Sequence, residues 1–238
     1  MLNTTESWNT FYESHPHMQP STFSYWVLGN LYQTFSRKLA SDETNPYYKD
    51  KFKLANLVDV GCGNGRDSLL FTNHMHDLDI RSLTCLDSSS EAIEATKVNL
   101  NAFSREKHAV EHCSFVVEDV CKFDFSSTDV CYCRFFLHAI SEDDFHAFLG
   151  SLNHGTTFFA ETRVLESSFD ILGNKVVPGV YEYENHKRRI LTVDVLLAEL
   201  EKYMFICQTE TGTYSSSSTI IEGRKDNPNL LRVYGIVK

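Results

Sequence analysis

Apolar and polar positions in this chain alternate between short apolar runs and longer amphipathic stretches. Residues 54–60, 80–86, 114–118, 128–134 and 156–161 are runs rich in Val, Leu, Ile, Phe and Cys, of the length and composition that buried strands need. Between and after them, residues 65–76, 89–101, 141–150 and 192–202 repeat apolar side chains at helical spacing. Strand and helix in turn predict parallel strands joined by crossover helices, an α/β fold. Ser141 followed by Glu142, Asp143 and Asp144 is a good helix entry, a hydroxyl cap with acids at the positive end of the helix dipole. Tyr203-Met204-Phe205-Ile206 and Leu230 to Val237 predict two terminal strands. The polar stretches Ser215–Ser218 and Gly223–Pro228 connect them.

The first fifty residues are unusually aromatic, with Trp8, Phe11, Tyr12, Phe23, Tyr25, Trp26, Tyr32, Phe35, Tyr47 and Tyr48. Ser21 and Thr22 follow Pro20 as a helix start, with apolar residues recurring to Phe35. This predicts a helical extension over residues 1–50, set against a main domain over 51–238. Most of these aromatics are expected to form a hydrophobic seam, since large rings usually serve packing. Tyr12 and Trp26 are candidates to line a pocket.

With 238 residues the chain is large enough for one full core. Its formal charge of −10 argues against a general grip on nucleic-acid backbone. Seven cysteines lack paired zinc spacing, and Cys85, Cys131 and Cys133 fall within predicted strands, so reduced, buried thiols and no metal site are expected. The polar N-terminus lacks a signal pattern, and no apolar run reaches membrane-spanning length. A cytoplasmic protein without membrane insertion is the expectation, and oligomeric state stays open.

Leu57-Val58-Asp59-Val60-Gly61-Cys62-Gly63-Asn64-Gly65-Arg66-Asp67 is where the pattern turns chemical. A strand ends in three glycines at alternate positions and a helix begins at once, so backbone can approach a ligand in the crevice beyond the strand end. The spacing G-x-G-x-G departs from the dinucleotide pattern G-x-G-x-x-G. Asp87 closes the second strand 22 residues beyond Gly65, where an acid is placed to accept from ribose hydroxyls. Glu118-Asp119 closes the third.

The segment from Val58 to Gly65 resembles motif I of class I S-adenosylmethionine (SAM)-dependent methyltransferases. That resemblance implies a Rossmann-like, mostly parallel seven-stranded sheet with helices on both faces and an antiparallel edge strand. It also implies S-adenosyl-L-methionine as cofactor. The cofactor site would comprise Asp59, Gly61, Cys62, Gly63, Asn64, Gly65, Asp87, Ser88, Asp119, Val120 and Arg134, with Asp119 at the adenine amino group.

The fourth strand runs to Arg134-Phe135-Phe136-Leu137-His138-Ala139-Ile140, and in this fold its end lies beside the transferred methyl. That segment, Glu161-Thr162-Arg163, His186-Lys187-Arg188-Arg189 and the tail Asp226-Asn227-Pro228 with Leu231-Arg232-Val233 resemble methyltransferases of polysaccharide and surface-glycan assembly. The implied acceptor is a sugar hydroxyl, a poor nucleophile that a nearby base helps by roughly 10²–10⁴-fold. His138 is the candidate base, its ordinary pKa lying near operating pH; packing at the strand-to-helix turn is the competing role. Arg134 and Arg163 are candidates to clamp the substrate with planar forks, against a plain ion pair with Glu161 or Asp129. Arg188 and Arg189 are either a solvated basic turn or a grip on a charged part of the substrate. A small amine or carboxylate acceptor, and a catalytically silent SAM-binding module, are the alternatives.

Overall fold

The computed structural model describes residues 19–40, 55–165, 174–183, 186–213, 219–221, 224–226 and 228–238. Helix α1 (Thr22–Ala40) leads into β1 (Ala55–Val60), α2 (Arg66–Thr72), β2 (Ile80–Asp87) and α3 (Ser90–Phe103). A short 3-10 turn precedes β3 (Cys113–Val117), followed by β4 (Val130–Arg134), α4 (Glu142–Ser151) and β5 (Thr157–Leu165). Strands β6 (Asn174–Val177), β7 (Val180–Tyr183) and β8 (His186–Arg189) come next, then β9 (Leu191–Thr192) and α5 (Val193–Leu200). The chain closes with β10 (Met204–Gly212), β11 (Thr219–Ile221), β12 (Arg224–Asp226) and β13 (Leu230–Val237).

The central sheet has the order β10-β13-β5-β4-β1-β2-β3. From β5 to β3 every neighbouring pair is parallel, while β13 runs antiparallel to both β5 and β10 and so closes that edge with an antiparallel pair. The expected Rossmann-like sheet is present, with the small β11–β12 hairpin in the connection read as polar. Strand alternation divides the core in two. Val58, Val60, Cys131, Cys133, Phe158 and Ala160 face α4 and α5 on one side. Leu57, Val130, Tyr132 and Phe159 face α1, α2 and α3 on the other. Both cysteines of β4 thus share one face as free buried thiols, the outcome that i, i+2 spacing dictates.

Helix α1 bears out the start read at Ser21 and Thr22, and its residues Phe23, Val27 and Leu28 are buried in the second cluster. Phe23 stacks on Tyr132 at 5.1 Å between ring centroids. Trp26 meets Phe159 edge-on and donates its indole N–H to Glu210 at 2.8 Å, so it belongs to the seam. Tyr12, Trp8, Phe11, Tyr47 and Tyr48 lie outside the described residues.

Several elements differ from the sequence reading, among them β10, which runs from Met204 to Gly212 where Tyr203–Ile206 was expected. Helix α2 stops at Thr72, because residues 73–79 fold into turns whose amides return to Leu69, Phe71, Thr72, His74 and His76 carbonyls. Strand β5 runs on to Leu165, sustained by pairing with β13 and β9. The stretch after β5 holds an antiparallel meander, β6-β7-β8, where the pattern showed only a basic turn. Its first hairpin pairs Val177 with Val180 across Pro178-Gly179, and Gly179 takes φ +79°, a turn that glycine makes cheaply. No helix among the described residues is long and apolar enough to cross a membrane.

Candidate active site

The site is built where β1, β2 and β4 deliver their carboxyl ends. Gly61, Gly63 and Gly65 all take positive φ, at 68°, 59° and 77°. The Gly61 and Cys62 amides donate to the Leu86 carbonyl at 2.8 and 3.1 Å, which pins the loop to the end of β2. Two of the glycines are also required by space. A Cβ on Gly61 would sit 2.9 Å from Phe136 Cδ2, and one on Gly65 would sit 2.6 Å from Thr96 Cγ2. Thr96 donates its hydroxyl to the Gly63 carbonyl at 2.7 Å, so α3 holds the loop from the other side. Asn99 does the same for the Asn64 carbonyl at 3.0 Å.

Asp87 closes this cradle. Its carboxylate accepts from the Gly63 amide at 3.0 Å and from the Ser89 amide at 3.0 Å. Burial raises its pKa above the ordinary value, against the pull of the amides of Ser89, Gly63 and Ser88. Asp119 stands half-buried just past β3 and accepts from the Cys121 amide at 3.0 Å, with Val120 buried beside it. Asp59 lies deeper. It is buried under the loop and accepts from Ser68 at 2.5 Å, and burial pushes its carboxyl up to about 8.

A second charged layer sits on the α1 side. The buried Asp67 carboxylate accepts from the Ser21 amide at 2.7 Å, Ser21 Oγ at 2.9 Å, Ser24 Oγ at 3.0 Å and Tyr132 at 2.7 Å. Burial raises its pKa, but Arg134, Arg66 and these hydrogen bonds outweigh it and hold the carboxyl below the ordinary value. Glu161, fully buried, accepts from Arg134 Nε at 2.9 Å and Arg232 Nε at 2.8 Å. Arg232 reaches on to Thr22 Oγ1 at 2.7 Å. The start of α1 is therefore fastened directly over the β1 and β4 ends. Asp67 and Arg232 enter the sequence reading only within longer segments and have no site role there. Their partners lie 46 and 71 residues away, at Ser21 and Glu161, and no local pattern marks such pairs.

The loop after β4 forms the other wall. Phe135 takes φ +56°, a left-handed conformation that costs a bulky residue on the order of 1–3 kcal/mol and clusters at functional sites. Its amide donates to the Glu161 carbonyl at 2.8 Å. The turn sets the Phe135 ring 4.0 Å from the Arg134 guanidinium and 5.8 Å from that of Arg163. His138 is buried, and its Nδ1 accepts the Arg163 amide at 3.3 Å with Thr162 Oγ1 at 2.9 Å. Burial, with Arg163, Arg188 and Arg134 nearby, depresses the His138 pKa well below 6.5. The His138 carbonyl accepts the Arg189 amide of β8 at 2.7 Å, which ties the meander to this wall. His138, Arg134 and Arg163 thus lie along one wall, and Arg134 makes the Glu161 pair that the sequence weighed against a substrate clamp. Among the described residues no group of three or more His, Cys, Asp or Glu is placed to hold a metal.

Residues 57–155 match the family described as a methyltransferase domain. No curated protein matches the chain. Among solved structures, a SAM-dependent methyltransferase from Anabaena variabilis is similar with a TM-score of 0.61 at 14% identity, over 100% of this chain and 96% of that one. A protein solved in work on conversion of a disulfide bond into a thioacetal group during echinomycin biosynthesis gives 0.64 at 14%, over 99% and 93%. The glycopeptide N-methyltransferase MtfA gives 0.54 at 18%, over 77% and 89%. At these identities the likeness speaks for the fold. The match covers residues 57–155, and S-adenosylmethionine is the cofactor that such a domain implies. The residues present fit that group, since a side-chain-free, positive-φ cradle stands against a carboxylate on the neighbouring strand.

Proposed function

We propose that the chain methylates a hydroxyl oxygen of a small saccharide acceptor, a glycan or glycan precursor. The observation that carries this reading is the seating of the Phe136 ring on Gly61. It brings the wall of Arg134, Phe135 and His138 directly against the cofactor cradle. Gly61, Cys62, Gly63, Asn64 and Gly65 offer backbone to the methionine portion. Asp87 and Ser88 serve the ribose, and Asp119 and Val120 the adenine. Asp59 supports the loop from below through Ser68. Burial and the nearby charge of Arg134 lower the pKa of Arg66, against the pull of Asp67 and Glu161. Arg66 offers a cation to the carboxylate end of the cofactor.

When bound, the cofactor supplies an electrophilic methyl on a sulfonium. The chain then has mainly to align the acceptor oxygen, and such alignment is worth on the order of 7–11 kcal/mol. His138 Nδ1 is already engaged by Thr162 Oγ1 and the Arg163 amide. That geometry gives weight to a second reading, an amine or carboxylate acceptor that needs no base.

Purified protein, SAM and a panel of sugars, sugar phosphates, amines and carboxylates, read by mass spectrometry for a 14-dalton gain, tests the proposal. Methylation of amines alone would refute the saccharide reading. His138→Ala separates the two further: a hydroxyl acceptor loses most turnover with cofactor affinity near normal, whereas an amine or carboxylate acceptor keeps it.

A further inference from the structure

One buried carboxylate ties the helix that leaves the glycine cradle to the start of α1. Asp67 stands two residues past Gly65, in the first turn of α2. Its four donors are the Ser21 amide at 2.7 Å, the Ser21 hydroxyl at 2.9 Å, the Ser24 hydroxyl at 3.0 Å and the Tyr132 hydroxyl at 2.7 Å. Three of them come from the start of α1 and the fourth from β4. Ser21 and Ser24 are buried and also hold each other: the Ser24 amide donates to Ser21 Oγ at 3.0 Å, and the Ser24 hydroxyl to the Ser21 carbonyl at 2.9 Å. Buried hydroxyls without partners are costly, and so is a buried carboxylate stripped of donors. The cluster therefore stands or falls as one unit. Stability alone does not call for it, because Phe23, Val27 and Leu28 already seat α1 by apolar contact.

The position of Asp67 gives the cluster its consequence. Gly65 caps α2 with φ +77° and donates its amide to the Cys62 carbonyl at 3.0 Å, closing the cradle. Asp67 lies only ~3 Å farther along the helix axis, so a shift of its carboxylate is carried into the cradle. We propose that Asp67 is a positioning residue for cofactor binding: it sets the glycine cradle against α1, so that donor affinity depends on Ser21 and Ser24, which do not belong to the cradle. The dependence is reciprocal, and bound cofactor steadies the start of α1. This inference rests on the glycine loop being the cofactor's cradle.

The test needs no acceptor. S-adenosylhomocysteine is titrated calorimetrically into wild type, the pair Ser21→Ala with Ser24→Ala, Asp67→Asn, the triple variant and Val27→Ala, all well below their unfolding temperatures. The serine pair and Asp67→Asn should each weaken binding by ~10-fold, within the usual range for linked sites. The triple variant should fall short of the product of the two losses by ~5-fold or more, because the serines act through the carboxylate. Val27→Ala thins the same seam away from Asp67; it should lower the urea midpoint and leave affinity within about twofold of wild type. Hydrogen exchange of the amides of residues 21–27 should slow on saturation in wild type and not in Asp67→Asn. A serine pair that binds as tightly as wild type, losses that multiply in full, or an equal loss in Val27→Ala overturns the positioning role. Failure of S-adenosylhomocysteine to bind the wild-type protein would instead overturn the cradle reading on which it rests.

Discussion

Gly65→Ala probes the glycine cradle without touching a charged group. Gly65 caps the start of α2 with φ +77°, and an L-residue there costs roughly 1–2 kcal/mol. The new methyl would also stand 2.6 Å from Thr96 Cγ2 and 2.9 Å from Thr96 Oγ1. Thr96 cannot simply retreat, because its hydroxyl holds the Gly63 carbonyl. Overpacking of this kind adds about 1–3 kcal/mol, for a total loss near 2–5 kcal/mol. Thr96→Ala alone should cost about 1–2 kcal/mol through the orphaned Gly63 carbonyl. In the double variant the clash with Cγ2 and Oγ1 disappears while the φ penalty remains. The losses should therefore fall short of additive by about 1–3 kcal/mol, a coupling typical of residues in contact. Urea unfolding of the four proteins measures this cycle, and SAM titration should show the Gly65→Ala loop binding at least ~10-fold more weakly. A Gly65→Ala protein within about 0.5 kcal/mol of wild type, or a strictly additive double variant, would refute the reasoning.

Asp87→Ala should weaken SAM by roughly 10–100-fold, the value of a charge-assisted hydrogen bond, and calorimetry would show it. Glu161→Gln leaves Arg134 and Arg232 facing each other without their shared carboxylate and should cost about 3–5 kcal/mol in urea unfolding. Asp59, protonated in the fold up to about pH 8, ionises freely once unfolded above its ordinary 3.8. Rising pH therefore favours the unfolded chain, by about 1.4 kcal/mol per unit within that window. Asp59→Asn should gain stability over wild type as pH climbs from 5 to about 8, and a pH-independent difference would count against the buried neutral acid. His138 acts with the opposite sign. It stays neutral in the fold well below 6.5, so its contribution is complete above that pH and is lost as acid protonates the unfolded chain. His138→Gln should remove that part of the acid sensitivity below 6.5, as read by thermal unfolding across pH.

Much of this protein was legible in one dimension. The period of the apolar residues alone places the main strands and helices, because a strand buried on both faces, such as Val130–Arg134, cannot hide its composition. Glycines at alternate positions after β1 announce the cradle, since positive φ and lack of space leave no other residue. The acids at strand ends follow from the same logic. What the chain could not declare locally is anything made by contacts distant in sequence. Asp67 reads as an ordinary first-turn acid until Ser21, Ser24 and Tyr132 converge on it. His138 reads as a residue of a strand-to-helix turn until Thr162 and the Arg163 amide meet its Nδ1. The meander was missed because each of its strands is short and its side chains are largely polar or exposed. Only backbone pairing between strands, and the bond from β8 to the His138 carbonyl, turns that basic stretch into a wall of the site. Hydrophobic periodicity is local and survives in sequence, whereas electrostatic pairing is set by distance in space and appears only when the sheet has closed.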